Sequence, residues 1–314
     1  MIDRTRLAEL MAIEEQRFLD AHPKSGELFG SAKLSMPSGV PMSWMSKWPG
    51  AYPVFVEEAK GATFVDVDGN TYIDFCLGDT GSMTGHSPEA TVTAIREQVG
   101  RGLSAMLPTK DAAVVSADLA ARFKLPLWQF TVSATDANRH VIRYSRLITG
   151  KSKIIVIDRC YHGSVDETFA TLDKKGKTVA REGNIGAPVD LDVTTRVVPF
   201  NNLAAMKKAL ANDDVAAILM EPAMTNVGIV LPIDGYLKGV EKLAKEFGAM
   251  LIIDETHTIS VGPGGMTAEL GLAPDFLTIG KAIGGGFPTG AFGMSQAVAD
   301  SIKKLVELEV IDTG

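Results

Sequence analysis

The sequence predicts an α/β protein with a mostly parallel, doubly wound sheet, preceded by a smaller α+β part at the N-terminus. Three observations predict it. From about residue 88 onward, short apolar runs alternate with helical stretches, the pattern of a parallel sheet wound by helices. The runs are rich in β-branched residues and apolar almost throughout, as strands buried on both faces are. Before them, residues 54–75 alternate apolar and polar positions with turn signals at Lys60-Gly61 and Asp68-Gly69-Asn70, which reads as a small antiparallel meander.

Taken in order, residues 3–20 carry apolar side chains at helical spacing among many charges and read as an amphipathic helix. Residues 25–53, rich in Gly, Pro, Ser, Met and Trp, read as an irregular covering segment. After the meander, a helical run follows Ser133 and continues to about Ile148. Buried-type strands are expected at 153–158, 196–199, 216–221, 249–254 and 275–279, with helices at 202–211 and 236–247 between them. This gives three regions: 1–87 with the helix, irregular segment and meander; 88–300 as a large domain; and 301–314 as the start of a C-terminal segment that is expected to be truncated.

Composition narrows the function classes. A chain of 314 residues with 46% hydrophobic content can bury a large core and more than one domain. The net charge of −7, without a basic stripe, speaks against a nucleic-acid partner. No apolar run reaches the roughly 18 residues of a membrane span. The opening Met1-Ile2-Asp3-Arg4-Thr5-Arg6 has no apolar signal core. With only Cys76 and Cys160, a disulfide framework is not expected and a reducing cytoplasm is the simplest location. His22, His86, His140, His162 and His257 show no metal-ligand spacing, so no metal is expected.

Two of the strands end in charges. The run 249–254 ends at Asp254. The run 275–279 leads through Gly280 to Lys281 and then to Gly284-Gly285-Gly286. Open α/β sheets bind ligands at the carboxyl ends of their strands. A lysine that forms a Schiff base and a carboxylate that pairs with a pyridinium nitrogen are what pyridoxal phosphate needs from a protein. Gly280 is expected to let the backbone pass close to a ligand, and the three later glycines to take unusual backbone angles. Singly, each feature has a plainer reading: a solvated strand-end lysine for Lys281, a helix cap for Asp254 or Ser133. Their combination carries the argument.

The stretches Leu251-Ile252-Ile253-Asp254-Glu255 and Asp275-Phe276-Leu277-Thr278-Ile279-Gly280-Lys281-Ala282-Ile283-Gly284-Gly285-Gly286 resemble the class III aminotransferases of fold type I. They resemble most the branch that includes glutamate-1-semialdehyde aminomutase, and the similarity runs from about Met36 to Ser295. The resemblance implies a fold type I transferase that uses pyridoxal 5'-phosphate, with 88–300 as the large domain that binds it. It also implies ping-pong transfer of an amino group from an amine or amino acid to a keto acid or aldehyde through Lys281. Asp254 then pairs with the ring nitrogen. Ser133-Ala134-Thr135-Asp136-Ala137 stands where the family reads Ser-Gly-Thr-Glu-Ala and holds the phosphate, with Ala134, Asp136 and the preceding Val132 as departures. In the same carry-over Tyr161 and Thr256 flank the cofactor ring and His162 holds its loop. Asn226 reaches the phenolic oxygen with Glu221 in support, and Glu255 is a structural ion-pair partner.

Substrate residues depart from the aminomutase pattern. Where that enzyme carries an Arg after Met-Pro-Gly-Gly-Val, this chain has Met36-Pro37-Ser38-Gly39-Val40 followed by Pro41-Met42-Ser43-Trp44-Met45-Ser46, and Asp79 stands where the aminomutase has Trp. Trp44, Met45 and Asp79 thus predict a substrate whose far end is apolar or cationic, and weak use of glutamate-1-semialdehyde. Two readings remain beside an aminotransferase: the aminomutase itself, and a catalytically degenerate homologue that binds the cofactor. The apolar residues of segment 25–53 imply a partner surface, and the resemblance likewise implies a homodimer.

Overall fold

The structure is a computed structural model and describes residues 2–104, 106–186 and 189–311. It comprises two compact units, Met1–Gln98 and Val99–Gly314. Of the 301–314 stretch expected to open a C-terminal segment, residues 312–314 lie outside the described residues.

In the first unit, helix α1 (Arg4–Ala21) starts at Asp3, whose carboxylate accepts from the backbone N–H groups of Thr5 and Arg6, both at 3.0 Å. Helix α2 (Pro23–Ala32) is a correction, because the segment from residue 25 was expected to be irregular. Pro23 opens the helix, and Asp68 serves its first turn from outside. The Asp68 carboxylate accepts from Lys24 N at 2.7 Å and from Ser25 N at 3.0 Å. A cap 43 residues away in sequence leaves no local signal. The rest of the segment is turns, including short 3₁₀ turns at Pro37–Gly39 and Ser43–Ser46. The expected meander is present as β1 (Val56–Lys60), β2 (Thr63–Asp66) and β3 (Thr71–Ile73), antiparallel in that order. Helix α3 (Glu89–Val99) closes the unit.

The second unit runs α4 (Lys110–Phe123), β4 (Leu127–Thr131), α5 (Ala134–Thr149), β5 (Lys153–Ile157), β6 (Ala170–Leu172), β7 (Thr178–Ala180), α6 (Leu191–Thr194), β8 (Thr195–Val198), α7 (Leu203–Leu210), β9 (Val215–Met220), α8 (Tyr236–Glu246), β10 (Met250–Asp254), α9 (Gly265–Glu269), β11 (Phe276–Ile279), β12 (Gly290–Met294) and α10 (Gln296–Glu307). The seven-stranded sheet has the order β4-β12-β11-β10-β9-β5-β8. The five strands from β11 to β8 are parallel, and β12 is antiparallel to both neighbours. The connection allows this: residues 280–289 return directly from β11 to β12, fewer than the dozen or more that a parallel crossover needs. The β6–β7 hairpin was not expected, since strands of three residues are too short to show alternation.

Strand β9 is buried at all six positions, and Ile154, Ile155, Val156, Ile218, Leu219, Ile252 and Phe276 are fully enclosed. Each such side chain contributes about 1.5–3 kcal/mol relative to exposure. Helix α5 lays Ala137, Val141, Ile142 and Tyr144 onto this sheet and packs against β9, β11 and β12. In chain order the strands run outward in opposite directions from the β5/β9 pair, so the loops after β5, β9, β10 and β11 open at a topological switch point.

Candidate active site

Those loops and the N-terminus of α5 enclose a pocket of about 250 Å³. Its walls come entirely from the second unit and include Ser133, Ala134, Thr135, Tyr161, His162, Glu221, Asp254, Thr256 and Lys281. Nine residues singled out from the sequence therefore converge on one cavity. Asn226 does not line it; its Nδ2 donates to Arg159 O at 3.3 Å. Trp44, Met45 and Asp79 belong to the first unit, where Trp44 is exposed in a 3₁₀ turn and Asp79 lies in a turn with φ +55°.

Asp254 is the centre of a buried polar network. Its Oδ2 accepts from Asn138 Nδ2 at 3.0 Å and from His162 Nδ1 at 2.8 Å. Its Oδ1 accepts from Thr256 N at 3.0 Å and Thr256 Oγ1 at 2.6 Å. Burial opposes the charge, but the His162 and Thr256 bonds prevail and lower the Asp254 pKa to about 2. His162 moves the other way. Burial disfavours its protonation, yet Cys160 and the Asp254 carboxylate beside it hold the ring well above its ordinary value. Each group thus favours the charged form of the other. Glu221 is raised by burial, and Thr225 Oγ1 donates to its Oε2 at 2.5 Å. His162 Nε2 and Glu221 Oε1, both buried, find no hydrogen-bond partner among the described residues. A pocket wall with orphaned polar atoms of this kind suits a polar ligand.

The phosphate-type corner is built by close approaches. Ser133 caps α5: its Oγ accepts from Asp136 N at 3.2 Å and donates to Asp136 Oδ2 at 3.1 Å. Ala134, in place of the expected Gly, takes an ordinary helical conformation, so the first-turn N–H donors of a 16-residue helix are retained. Gly163 has φ +82°, and a Cβ there would stand 2.0 Å from Thr135 Oγ1, so only glycine lets the Tyr161 loop reach this helix end.

One expectation is extended and two change. Gly280 also makes room for the protein itself: a Cβ on it would lie 2.8 Å from Ala134 Cβ, so it lets the start of α5 approach the end of β11. Of the three glycines after Lys281, Gly285 and Gly286 have positive φ and Gly284 does not; Gly284 instead packs against Thr289. Glu255 has neutral partners in place of the expected ion pair. It accepts from Thr258 Oγ1, Met266 N, and Thr267 N and Oγ1, which pin the turn after β10.

Lys281 itself has φ +45°, a left-handed conformation that costs a non-glycine residue about 1–3 kcal/mol and clusters at functional sites. Its Nζ lies 2.7 Å from His257 Nε2. Sequence reasoning considered His257 only as a metal ligand. It also missed Asn138, which donates to His162 O at 3.1 Å and accepts from Thr278 Oγ1 at 2.8 Å besides bonding Asp254. The readable signal was a polar residue inside the apolar stripe of α5. Among the described residues no group of three or more His, Cys, Asp or Glu side chains is placed to hold a metal, and no helix is long and apolar enough to cross a membrane.

A sheet of this order, with a lysine and a buried aspartate at the ends of neighbouring strands and a helix N-terminus between, defines a fold type I transferase. The Aminotransferase class-III family profile matches residues 44–306, and the chain belongs to that family. A glutamate-1-semialdehyde 2,1-aminomutase of Methanothrix thermoacetophila is 35% identical over 280 residues, which cover 88% of this chain and 65% of that protein. The chain therefore spans somewhat less than two thirds of that relative's length. A crystal structure of a glutamate-1-semialdehyde-aminomutase from Pseudomonas aeruginosa PAO1 superposes with a TM-score of 0.94 at 46% identity, covering all of this chain and 69% of that one. A lysine-to-alanine variant of the Pseudomonas aeruginosa enzyme, in complex with PMP, matches with the same TM-score of 0.94 and 46% identity over 97% of this chain and 67% of that one.

Proposed function

We propose that the pocket binds pyridoxal 5'-phosphate and that the protein moves an amino group through it. The observation that carries this is the convergence of the Lys281 amine, the Asp254 carboxylate and the start of α5 on one cavity. When bound, the cofactor supplies an electron sink for a carbon–hydrogen bond next to an amine. Lys281 anchors it covalently and, once released, carries the proton between carbons as base and then acid. Asp254 keeps a proton on the ring nitrogen. Of its four present donors, the Thr256 hydroxyl is the one that can rotate away to make room. The α5 N-terminus with Ser133 and Thr135 binds the phosphate, Tyr161 and Thr256 flank the ring, and His162 fixes Asp254. Glu221 lines the pocket, and Asn226 would have to turn its amide away from Arg159 O to reach the phenolic oxygen.

Between the two reactions this site supports, the relatives favour a glutamate-1-semialdehyde 2,1-aminomutase over a general aminotransferase, against the expectation from the substrate residues. The aminotransferase remains the second reading because the described residues lining the pocket include no arginine for a substrate carboxylate and residues 41–46 contain none. The purified protein is expected to consume glutamate-1-semialdehyde with no second substrate and with a higher kcat/KM than for a panel of amines and neutral amino acids. Turnover that requires an added keto acid or aldehyde decides for the aminotransferase. A protein that takes up cofactor but turns over neither is the degenerate homologue.

A homodimer is part of the same proposal. Within the first unit Trp44, Met42 and Trp48 are 68%, 58% and 42% exposed, an apolar surface that suits a second copy. Sedimentation of the cofactor-loaded protein at micromolar concentration is expected to give a dimer; a monomer contradicts it.

A further inference from the structure

We infer that His257 is a positioning residue that takes the proton from the ε-amine of Lys281 and returns it; the inference rests on the pyridoxal phosphate reading. A protonated lysine carries three N–H donors and no lone pair, so it cannot attack a carbonyl carbon until one proton leaves. A group able to receive it is His257 Nε2, 2.7 Å from Nζ. That is within the range for direct proton transfer. The proton moves from Nζ to Nε2, leaving a lone pair on nitrogen and a cation on the imidazole. The neutral amine then condenses with the cofactor aldehyde: a C=N bond forms and the carbonyl oxygen leaves as water. When a substrate amine displaces Lys281, the imidazolium gives the proton back.

The surroundings hold this contact in place. His257 follows Thr256, whose N–H is bonded to Asp254, and precedes a 3₁₀ turn, Thr258–Val261. Ile259 N donates to Glu255 O at 2.9 Å, Ser260 Oγ donates to His257 O at 3.1 Å, and buried Glu255 ties the turn to the start of α9 through Met266 and Thr267. On the other side, Lys281 is held in its left-handed conformation, with φ +45°. Both partners are thus fixed by backbone on separate strand ends. His257 is half-buried, so its ring can exchange protons with water. The other titratable groups facing the pocket are Tyr161, His162, Glu221 and Asp254.

The test is the rate at which cofactor-free protein develops its visible absorption band after mixing with pyridoxal 5'-phosphate, followed by stopped flow. His257→Gln keeps a hydrogen-bonding group without a titratable one, and it is expected to slow the band about 10²-fold and to change the shape of the rate's pH profile. His257→Ala is expected to be as slow and to recover with added imidazole in proportion to its concentration. A Gln variant as fast as the unaltered protein, or an Ala variant that imidazole does not rescue, overturns the assignment. If the unaltered protein develops no band, the pyridoxal phosphate reading falls first and this inference with it.

Discussion

Lys281→Ala is expected to abolish turnover and to remove the visible absorption band expected of the protein with pyridoxal 5'-phosphate. Two roles disappear together: the covalent anchor and the group that moves the proton. General acid–base catalysis alone accounts for about 10²–10⁴-fold, and loss of the anchor adds to it. The substitution also replaces a residue held at φ +45° with a smaller one in the same conformation, so the fold is expected to persist. Phosphate binding at the start of α5 does not involve Lys281, so the variant still takes up the cofactor non-covalently. Absorbance with and without an amino donor checks both points. Retained turnover with an unchanged band contradicts the assignment.

Removal of the Asp254 carboxylate has the second largest effect. Asp254→Ala loses on the order of 10³-fold or more in the proton-transfer step, because no group then keeps the ring nitrogen charged. It also leaves the buried donors of Asn138, His162 and Thr256 without their acceptor, at a cost of about 1–3 kcal/mol per unsatisfied group. Asp254→Asn removes the charge while keeping an acceptor oxygen in the same space, so it isolates the electrostatic effect. The pH dependence has a definite sign. Asp254 is depressed from 3.8 to about 2 in the folded protein, so its contribution is present above about pH 4 and is lost as pH falls toward 2. His162 is raised above 6.5, so its contribution is present below that value and is lost as pH rises through the higher folded one. The unaltered protein is therefore expected to lose stability steeply in acid, and Asp254→Asn to show a shallower acid limb. Thermal melts across pH measure the limb, and solvent exchange of the substrate Cα proton measures the step. An exchange rate unchanged in Asp254→Asn rules the role out.

The large-domain strands and the helices between them were legible because each carries its own hydrophobic period, and burial on both faces makes that period unambiguous for β5, β9, β10 and β11. Lys281 and Asp254 were legible for a related reason: a charge at the end of an apolar run is conspicuous, and strand ends are where such sheets bind ligands. Helix α2 was not legible, since its first turn is capped by Asp68 from a distant turn. The hairpin β6–β7 was too short to have a period.

The sequence by itself determined the fold class and the amine and carboxylate of the site, because local periodicity and strand-end chemistry are written in neighbouring residues. Only the tertiary structure decided which groups those two would face. Asn138 reaches Asp254 across 116 positions of chain, and His257 reaches Lys281 across 24. Gly280 is small because Ala134 approaches it, and Gly163 because Thr135 does. Such contacts join residues from separate elements, and no local pattern records them because they form only when the sheet brings the ends of its strands together.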